Sequence, residues 1–379
     1  MSSRLSRVAA RLLAVAIGLS IVFGALEIYY RSVADNENPN AVRGLYVLDQ
    51  YTSYSLKPNL HGVTMFIRAH DANGKPSVKP FQVSTTSDGI RSARAVDISR
   101  RPNTLRIMVM GSSFDFGYGV NDDDTWSAAL ERKLASERVF PVELEIINGG
   151  MPGTHNEQFM IRYLSRLEKY KADAVIIATG PTVPSGATDM RKYQLPAPNP
   201  DFAATSAFYI DRSGILRAHV ATTPLMRALS SRSEFIKQML IRIKVTRSNT
   251  EVAAAQTAAK TIQASDVHDS SLDPLLAFYE RLRDQDVPLL VMIRETLLSN
   301  KDTPSPEEIM ARKLEHRGIP SLNLRPLFDR PDYNRFLVDD GHWNEAGHRM
   351  AADAAFDFVV AHKQGIVDAA RRHGSMPVN

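Results

Sequence analysis

From residue 104 to the C-terminal region, short apolar runs alternate with longer stretches in which apolar residues recur every three or four positions. The first pattern is typical of buried β-strands, and the second is typical of amphipathic helices. The apolar runs begin near Leu105, Val142, Ala174, Pro288 and Ile319. This alternation predicts an α/β fold, a three-layer αβα sandwich in which a five-stranded parallel sheet with right-handed crossovers lies between helices.

Two segments depart from this alternation. Residues 45–103 contain two strand-like runs on either side of Asn73-Gly74, which is a strong turn signal. They predict a small β-rich preface to the α/β domain, which we assign to residues 104–366. Residues 187–270 lack the alternation and are predicted to form an insertion within that domain.

The insertion contains apolar residues at helical spacing, with basic residues around them. The apolar positions are Ile236, Met239, Leu240 and Ile243. The pattern predicts a helix with three open interpretations: a lid, a helix on a membrane surface, or an insertion helix packed on the core. Beyond the α/β domain, residues 367–379 are expected to form a C-terminal tail.

The first 31 residues have a different pattern. Arginines at positions 4, 7 and 11 precede an apolar stretch from Leu12 to Leu26, and two tyrosines and an arginine follow it. This pattern predicts an uncleaved membrane anchor, residues 1–31, with the N-terminus inside and the rest of the chain outside. A polar linker, residues 32–44, follows. A cleaved signal peptide and a buried helix of a soluble protein are the alternatives.

The composition argues against several kinds of partner, nucleophile and cofactor. The chain has 379 residues and a formal net charge of +4 from scattered Arg and Lys, which gives little support for a nucleic-acid partner. It has no cysteine, and this excludes disulfides, a thiol nucleophile and cysteine-ligated zinc. It also has no glycine-rich phosphate loop of the usual kind, and neither a metal nor another cofactor is expected.

Candidate chemistry lies where the predicted strands end. The strand ends are followed by Gly111-Ser112-Ser113, by NGGMPG (residues 148–153), by GPTVPSG (residues 180–186) and by VDDGHWNEAGH (residues 338–348). Ligands of open α/β sheets bind outside the carboxyl ends of the strands. We therefore expect these segments to meet at one edge of the sheet.

The last of these segments places Asp339 three residues before His342. A carboxylate there can accept the Nδ1–H of the imidazole, which leaves Nε2 as a base. A serine at the end of the first strand can face that Nε2, in the chain order Ser, Asp, His. The alternative for an isolated Asp-x-x-His is a capped helix start.

These blocks resemble the SGNH (GDSL-like) hydrolases. GSSFDFGYGV is similar to the family's first block and places Ser113 at the nucleophile position, and Asp339 and His342 match its last block. INGGMPG places Gly153 where the family uses a backbone N–H in the oxyanion hole, together with that of the nucleophile. The resemblance covers about residues 45–365, apart from much of the insertion, and implies the flavodoxin-like SGNH fold.

Two positions depart from the family's pattern. Ser112 stands where the family has the aspartate of Gly-Asp-Ser, and Thr182 stands where its third block has an asparagine that donates to the oxyanion. A threonine hydroxyl can donate one hydrogen bond, so Thr182 is the third candidate donor. His155 lies in the second block, either as a substrate contact or as an ordinary loop histidine.

The resemblance implies an ester hydrolase or O-acyl transferase with a Ser113, His342 and Asp339 triad and no cofactor. Its membrane-anchored bacterial members imply an inner-membrane protein whose catalytic domain is periplasmic. An acyl or acetyl ester of an envelope or exported glycan is the expected substrate. The alternative, favoured by Thr182, is an impaired SGNH-fold binding or assembly component with a partner in an envelope complex.

Overall fold

The structure is a computed structural model. It describes residues 2–37, 42–70, 75–181, 208–211, 214–219, 223–243, 272–295, 304–338 and 341–377. The chain divides into two units, one of residues 1–41 with 207–262 and the other of residues 42–206 with 263–379.

The first unit begins with one long helix, α1, Ser2–Glu37. Among the described residues this is the helix that is long and apolar enough to cross a membrane, over Arg7–Val33 with a mean hydropathy of 2.2. A signal sequence near an N-terminus would give the same pattern. The helix continues past the predicted end of the anchor at residue 31 and into the predicted linker.

The second unit begins with two antiparallel hairpins. The first joins β1, Tyr46–Asp49, to β2, Ser53–Leu56. The second joins β3, Val63–His70, to β4, Pro76–Val83, in a register that pairs Val63 with Val83. As predicted, two strands flank Asn73-Gly74, although these two residues lie outside the described part of the chain.

A five-stranded parallel sheet forms the centre of the second unit, as the alternation of apolar runs predicts. Its strands are β5, Thr104–Gly111; β6, Glu143–Asn148; β7, Ala174–Thr179; β10, Leu289–Ile293; and β11, Ser321–Asn323. The order across the sheet is β11-β10-β7-β5-β6. The chain passes from β5 to β6 on one side of the sheet and from β7 to β10 on the other. The topological switch point therefore lies between the carboxyl ends of β5 and β7.

Helices cover both faces of this sheet. Along β5, Leu105, Ile107 and Val109 point into one core and Met108 and Met110 into the other, because alternate residues of a strand face opposite sides. The first core is closed by α3, Trp126–Ser136; α10, Glu345–Ala361; and α11, Lys363–Arg372. The second is closed by α4, Asn156–Arg162; α7, Asp273–Arg283; and α8, Pro306–Glu315.

Short elements complete this unit. They are α2, Ser113–Phe116; α9, Arg325–Phe328; 3-10 turns at Asp122–Asp124, Glu168–Tyr170 and Tyr333–Phe336; and a π-helical turn at Tyr163–Leu167. The π-helical turn interrupts what the sequence predicts as one continuous helix after β6. At the C-terminus, α11 runs across the predicted boundary at residue 367, and Val367 and Ala370 are buried in the core. The predicted tail therefore begins inside a packed helix.

The described parts of the predicted insertion belong to the unit that contains α1. They are a hairpin of β8, Phe208–Ile210, and β9, Leu216–Ala218; helix α5, Pro224–Arg232; and helix α6, whose described residues are 234–243. The predicted amphipathic helix thus exists. Phe235 of α6 contacts Phe23 and Glu27 of α1.

Candidate active site

Ser113 lies at the carboxyl end of the central strand, where β5 gives way to the short helix α2. The Asp115 carboxylate folds back under this turn, and its Oδ2 accepts the backbone N–H of Ser112 at 2.9 Å. Asn148, at the end of β6, donates from Nδ2 to the Asp115 carbonyl at 2.8 Å. Two strand ends are therefore tied together directly beneath Ser113.

The glycines around this turn are required by close packing. A Cβ atom on Gly111 would lie 1.9 Å from Oδ2 of Asp115. A Cβ atom on Gly150 would lie 2.4 Å from the backbone nitrogen of Phe116. Since real Cβ atoms do not approach other atoms so closely, a larger residue at either position would force the neighbouring atoms to shift.

His342 reaches the same edge from the turn that precedes α10. The N–H of Val338 donates to the His342 carbonyl at 2.8 Å, and the N–H of Gly341 donates to the Val338 carbonyl at 2.9 Å. The next side chain, Trp343, is fully buried and stacks on Phe328 with 5.1 Å between ring centroids. Asn344 then caps α10 by accepting two backbone N–H groups. The turn bond between Gly341 and Val338 before His342, and the buried Trp343 and the helix cap after it, hold the loop on either side of His342.

The structure brings Ser113 and His342 together. His342 Nε2 lies 2.7 Å from Ser113 Oγ, a hydrogen-bond distance. The rings of Phe114 and Tyr118 have centroids 4.9 Å and 5.0 Å from that of His342, so the imidazole packs between aromatic neighbours. A hydroxyl hydrogen-bonded to an imidazole is the arrangement that generates a serine nucleophile.

The roles predicted for Gly153, His155, Asp339 and Thr182 stay predictions. Gly153 and His155 are described and exposed, in the loop between β6 and α4. Gly153 has a φ of +75°, and its carbonyl accepts the Tyr54 hydroxyl at 2.9 Å, while the backbone N–H of His155 donates to Gln158. Asp339 and Thr182 lie outside the described residues, so their predicted roles stay predictions.

Arg294 and Glu295 follow β10 directly, and the sequence analysis overlooked this fourth strand end. The Arg294 guanidinium lies 4.0 Å from the ring centroid of Phe114. Glu295 Oε1 accepts the Tyr333 hydroxyl at 2.8 Å and the indole N–H of Trp343 at 2.9 Å. These two side chains therefore buttress the residues next to Ser113 and His342. Applying the strand-end rule to every strand would have found them.

Burial shapes the electrostatics of this pair. It raises the pKa of Glu295, although the bonds from Trp343 and Tyr333 work in the opposite direction. Burial also lowers the pKa of Arg294, and the nearby carboxylates of Asp115 and Glu295 oppose that change.

Asn156 is a second residue that the sequence analysis overlooked. Its Oδ1 accepts the hydroxyl of Thr179, the last residue of β7, at 2.6 Å. Its Nδ2 is buried and has no hydrogen-bond partner within the described part of the chain. An amide donor without an acceptor therefore lies beside the third strand end, where the resemblance expects an asparagine.

Trp126 connects two buried titratable groups below the site. Its indole N–H donates to Asp115 Oδ1 at 3.3 Å, and its backbone N–H donates to His348 Nδ1 at 3.2 Å. Burial raises the pKa of Asp115 to about 7, with the charge of Arg294 opposing the change. Burial lowers the pKa of His348 to about 3. His348 is therefore neutral at physiological pH and serves as a buried acceptor.

No group of three or more His, Asp or Glu side chains among the described residues could hold a metal ion. The chemistry that this arrangement supports is that of a serine nucleophile with an imidazole base, at the edge of the sheet where ligands of this architecture bind.

No protein-family model matches the chain, and the comparison with curated proteins gives no match. Several solved structures are similar to it. One is a protein from Desulfitobacterium hafniense that is assigned to the G-D-S-L family of lipolytic proteins, with 12% identity, 67% of this chain and 99% of that chain covered, and a TM-score of 0.38.

A second is a lipase/acylhydrolase from Enterococcus faecalis, with 14% identity, 68% and 96% coverage and a TM-score of 0.38. A third is an acetylxylan esterase from Geobacillus stearothermophilus, with 12% identity, 69% and 96% coverage and a TM-score of 0.37.

Proposed function

We propose that the protein is a serine ester hydrolase or O-acyl transferase with Ser113 as nucleophile. The observation that carries this proposal is the 2.7 Å separation between Ser113 Oγ and His342 Nε2 at the carboxyl edge of the sheet. The two residues are 229 positions apart in the chain, and each is held by buried neighbours of its own. A hydroxyl and an imidazole placed in this way are poised for acyl transfer.

In the proposed reaction, Ser113 Oγ attacks the ester carbonyl carbon while its proton passes to His342 Nε2. The imidazolium then gives that proton to the leaving alcohol oxygen as the ester C–O bond breaks. Water, or the hydroxyl of an acceptor, attacks the acyl-serine with His342 again as base, and Ser113 is regenerated. Asp339 is proposed to accept the Nδ1–H of His342 and to stabilise the imidazolium.

The negative charge on the carbonyl oxygen needs hydrogen-bond donors. We propose the backbone N–H groups of Ser113 and Gly153 and the hydroxyl of Thr182. The Nδ2 group of Asn156 is an additional candidate, since it is an amide donor without an acceptor at the third strand end. Each such donor contributes about 10²–10³ in rate to known enzymes of this type.

We also propose that α1 is an uncleaved anchor in a bacterial inner membrane and that the second unit lies in the periplasm. The arginines before the apolar stretch support this orientation. The substrate would be an acyl or acetyl ester of an envelope or exported glycan. This part of the proposal rests on the anchoring and on the motif resemblance.

A serine-reactive fluorophosphonate probe tests the proposed nucleophile. The wild-type chain and Ser112→Ala should be labelled, and Ser113→Ala should not. Ser112 is the matched control because it is the adjacent serine of the same turn, and its backbone N–H and carbonyl bond to Asp115 and Phe116. Labelling that persists in Ser113→Ala would show that another residue reacts. A folded wild-type chain that neither reacts nor hydrolyses esters would instead identify a non-catalytic binding component.

A further inference from the structure

One face of α1 carries the contacts of the insertion helix α6. Phe235, near the start of α6, packs on Phe23 with ring centroids 5.6 Å apart and on Tyr30 with centroids 5.7 Å apart. The guanidinium of Arg242, further along α6, lies 5.8 Å from the Tyr30 ring centroid. Phe23 and Tyr30 are seven positions apart, which is about two helical turns, so they lie on the same side of α1.

Between these two rings, Glu27 binds the start of α6. Its carboxylate accepts the backbone N–H groups of Glu234 and Phe235, both at 3.1 Å, and the Ser233 hydroxyl at 2.8 Å. A carboxylate at a helix N-terminus satisfies free N–H groups and interacts favourably with the helix dipole. Glu27 therefore caps the N-terminus of α6 from a different helix, together with Ser233, whose hydroxyl accepts the Ile236 N–H at 3.1 Å.

Arg31 makes the complementary contact with α5. It pairs with Glu27 at 2.6 Å one turn earlier on α1, and its Nη2 donates to the carbonyl of Arg232, the last residue of α5, at 2.9 Å. A cation at a helix C-terminus is favourable for the reason that an anion is at an N-terminus. The Glu27–Arg31 pair thus holds the corner at which α5 ends and α6 begins.

These contacts lie at one end of the apolar stretch of α1. From Arg11 to Glu27 the helix rises about 24 Å, somewhat less than the hydrocarbon core of a bilayer, about 30 Å. In a membrane that α1 spans, Glu27 lies at or just inside the boundary of the hydrocarbon. The α5–α6 corner that it holds is then at the depth of the lipid headgroups.

Both helices carry apolar side chains that face away from protein. On α5 these are Leu225 and Leu229, with 69% and 40% of their surface exposed, and on α6 they are Met239 and Ile243, with 43% and 46% exposed. Each pair has the four-residue spacing that puts two side chains on one side of a helix. Arg232 and Arg242 are exposed on the same two helices. Apolar pairs with neighbouring arginines are typical of helices that lie in a membrane interface.

We propose that residues 223–243, the α5–α6 segment, form a membrane-docking surface whose partner is the outer leaflet of the bilayer that α1 spans. Leu225, Leu229, Met239 and Ile243 insert at the acyl boundary, and the arginines contact lipid phosphates. The inference rests on the proposed spanning role of α1. The contacts of Glu27 with residues 233–235 require that α1 stays attached to the mature chain, and cleavage as a signal peptide would remove them.

Fluorescence quenching by lipids tests this proposal on the full chain in lipid nanodiscs. Since the natural chain contains no cysteine, single cysteines can carry an environment-sensitive dye without background. The variants are Met239→Cys in the docking surface, Ile17→Cys in α1, and Val360→Cys, an exposed apolar position of the α/β unit that is 42% accessible. Nitroxide lipids labelled near the headgroup or at the acyl end report depth.

The expected result is quenching of the dye at position 239 by the headgroup-proximal nitroxide and weaker quenching by the deep one. The dye at position 17 should respond most to the deep nitroxide, and the dye at position 360 gives the response of an exposed position that the proposal does not place in the membrane. If position 17 is not quenched, α1 does not span and the proposed anchoring fails. If position 17 is quenched but position 239 is quenched by neither nitroxide, the docking surface is refuted while the anchoring stands.

Two other occupants of the apolar surface would also overturn the proposal. A dye at position 239 that is shielded from every nitroxide, and becomes exposed on dilution to one chain per nanodisc, would identify a second copy as the partner. Shielding at a single chain per nanodisc would show that the chain covers its own surface. As a further check, Glu27→Gln in the Met239→Cys background should weaken headgroup quenching and leave position 17 unchanged, since one cap acceptor is lost.

Discussion

His342 Nε2 lies within hydrogen-bond distance of Ser113 Oγ, at 2.7 Å, although the two residues come from opposite ends of the α/β domain. Ser113 follows the central strand, and His342 precedes the helix that covers one face of the sheet. The aromatic rings of Phe114 and Tyr118 hold the imidazole from its sides. Asp339 is proposed to orient the imidazole through Nδ1.

Asp339→Asn should lower the ester hydrolysis rate by about 10³–10⁴. An amide at that position can present its NH₂ group to Nδ1 and so favour the wrong tautomer of His342, a change that costs about 10⁴ in a known triad. Asp340→Asn is the matched control and should stay within a factor of about three of the wild type, which is below 1 kcal/mol. Steady-state hydrolysis of a chromogenic acetyl ester measures both.

If the hydrolysis rate falls equally in the two variants, or falls further in Asp340→Asn, Asp339 is not the residue that orients His342. Both losses would then have to be compared with the thermal stability of each variant, since a loop that unfolds removes His342 as well.

Gly150→Ala should destabilise the protein by about 1–3 kcal/mol or more, because its Cβ would lie 2.4 Å from the Phe116 nitrogen and the backbone there cannot move aside cheaply. Gly180→Ala is the control at a neighbouring strand end, where the nearest atom to the new Cβ is 3.6 Å away. It should change the free energy of unfolding by less than about 1 kcal/mol. Denaturant unfolding in detergent gives both values, and an equal effect would contradict the packing described around α2.

The regular part of the fold could be predicted because its signals are local. β5, β7 and β10 are short apolar runs buried along their whole length, so periodicity and length were sufficient to predict them. β6 and β11 are more polar, and they were predicted from the apolar residues within or beside them. The π-helical turn at Tyr163–Leu167 was not predicted, because the residues there have ordinary helical periodicity. Nothing in the local pattern distinguishes a widened turn from a regular one.

The candidate site was predictable as far as its motifs extend. Ser113 and His342 were found because serine and histidine follow strand ends in recognisable blocks. The position of Glu295 at a strand end could have been read from the sequence, but its partners Tyr333 and Trp343, 38 and 48 residues away, could not. Glu27 gives no sign in the sequence that it binds Phe235, 208 positions further along the chain. Such pairings depend on packing that composition and spacing do not reveal.

Thr182→Asn should raise the rate of ester hydrolysis, by at most about 10²–10³, the usual contribution of one oxyanion donor. The reason is that an amide donates in a better-defined direction than a hydroxyl, and the resembling family uses asparagine there. The measurement is kcat/KM on a small acetyl ester, with Ser113→Ala as background.

Asn156→Ala tests the alternative that the oxyanion hole already has all its donors. If the Nδ2 group of Asn156 already supplies the missing donor, Thr182→Asn will leave the rate unchanged and Asn156→Ala will lower it by about 10²–10³. An unchanged rate in Asn156→Ala and in Thr182→Ala, together with strong wild-type activity, would show that neither residue contributes to the oxyanion hole.

The pH dependence of stability should separate the two titratable groups that Trp126 connects. His348 has its pKa lowered from 6.5 to about 3 by burial, so below pH 6.5 the unfolded chain binds a proton that the folded protein does not. Between pH 6.5 and about pH 3, His348 therefore makes the free energy of unfolding fall by about 1.4 kcal/mol for each unit that the pH decreases. Asp115 has its pKa raised from 3.8 to about 7, so between these values the folded protein keeps a proton that the unfolded chain has lost. Its contribution therefore falls as pH rises.

Between about pH 4 and about pH 6.5 the two contributions have opposite signs and similar slopes, and they largely cancel in the wild type. His348→Asn keeps an acceptor for the Trp126 backbone N–H and removes the histidine titration, so its stability relative to the wild type should decline as pH rises through this window. Asp115→Asn should do the reverse and lose relative stability as pH falls.

Asp115→Asn should also cost about 1–3 kcal/mol at every pH, because both carboxyl oxygens accept N–H groups and an amide NH₂ would face one of those donors. Denaturant unfolding of the three detergent-solubilised full-length chains at several pH values measures the slopes. Parallel curves for the wild type and both variants would mean that neither buried group changes its protonation on unfolding.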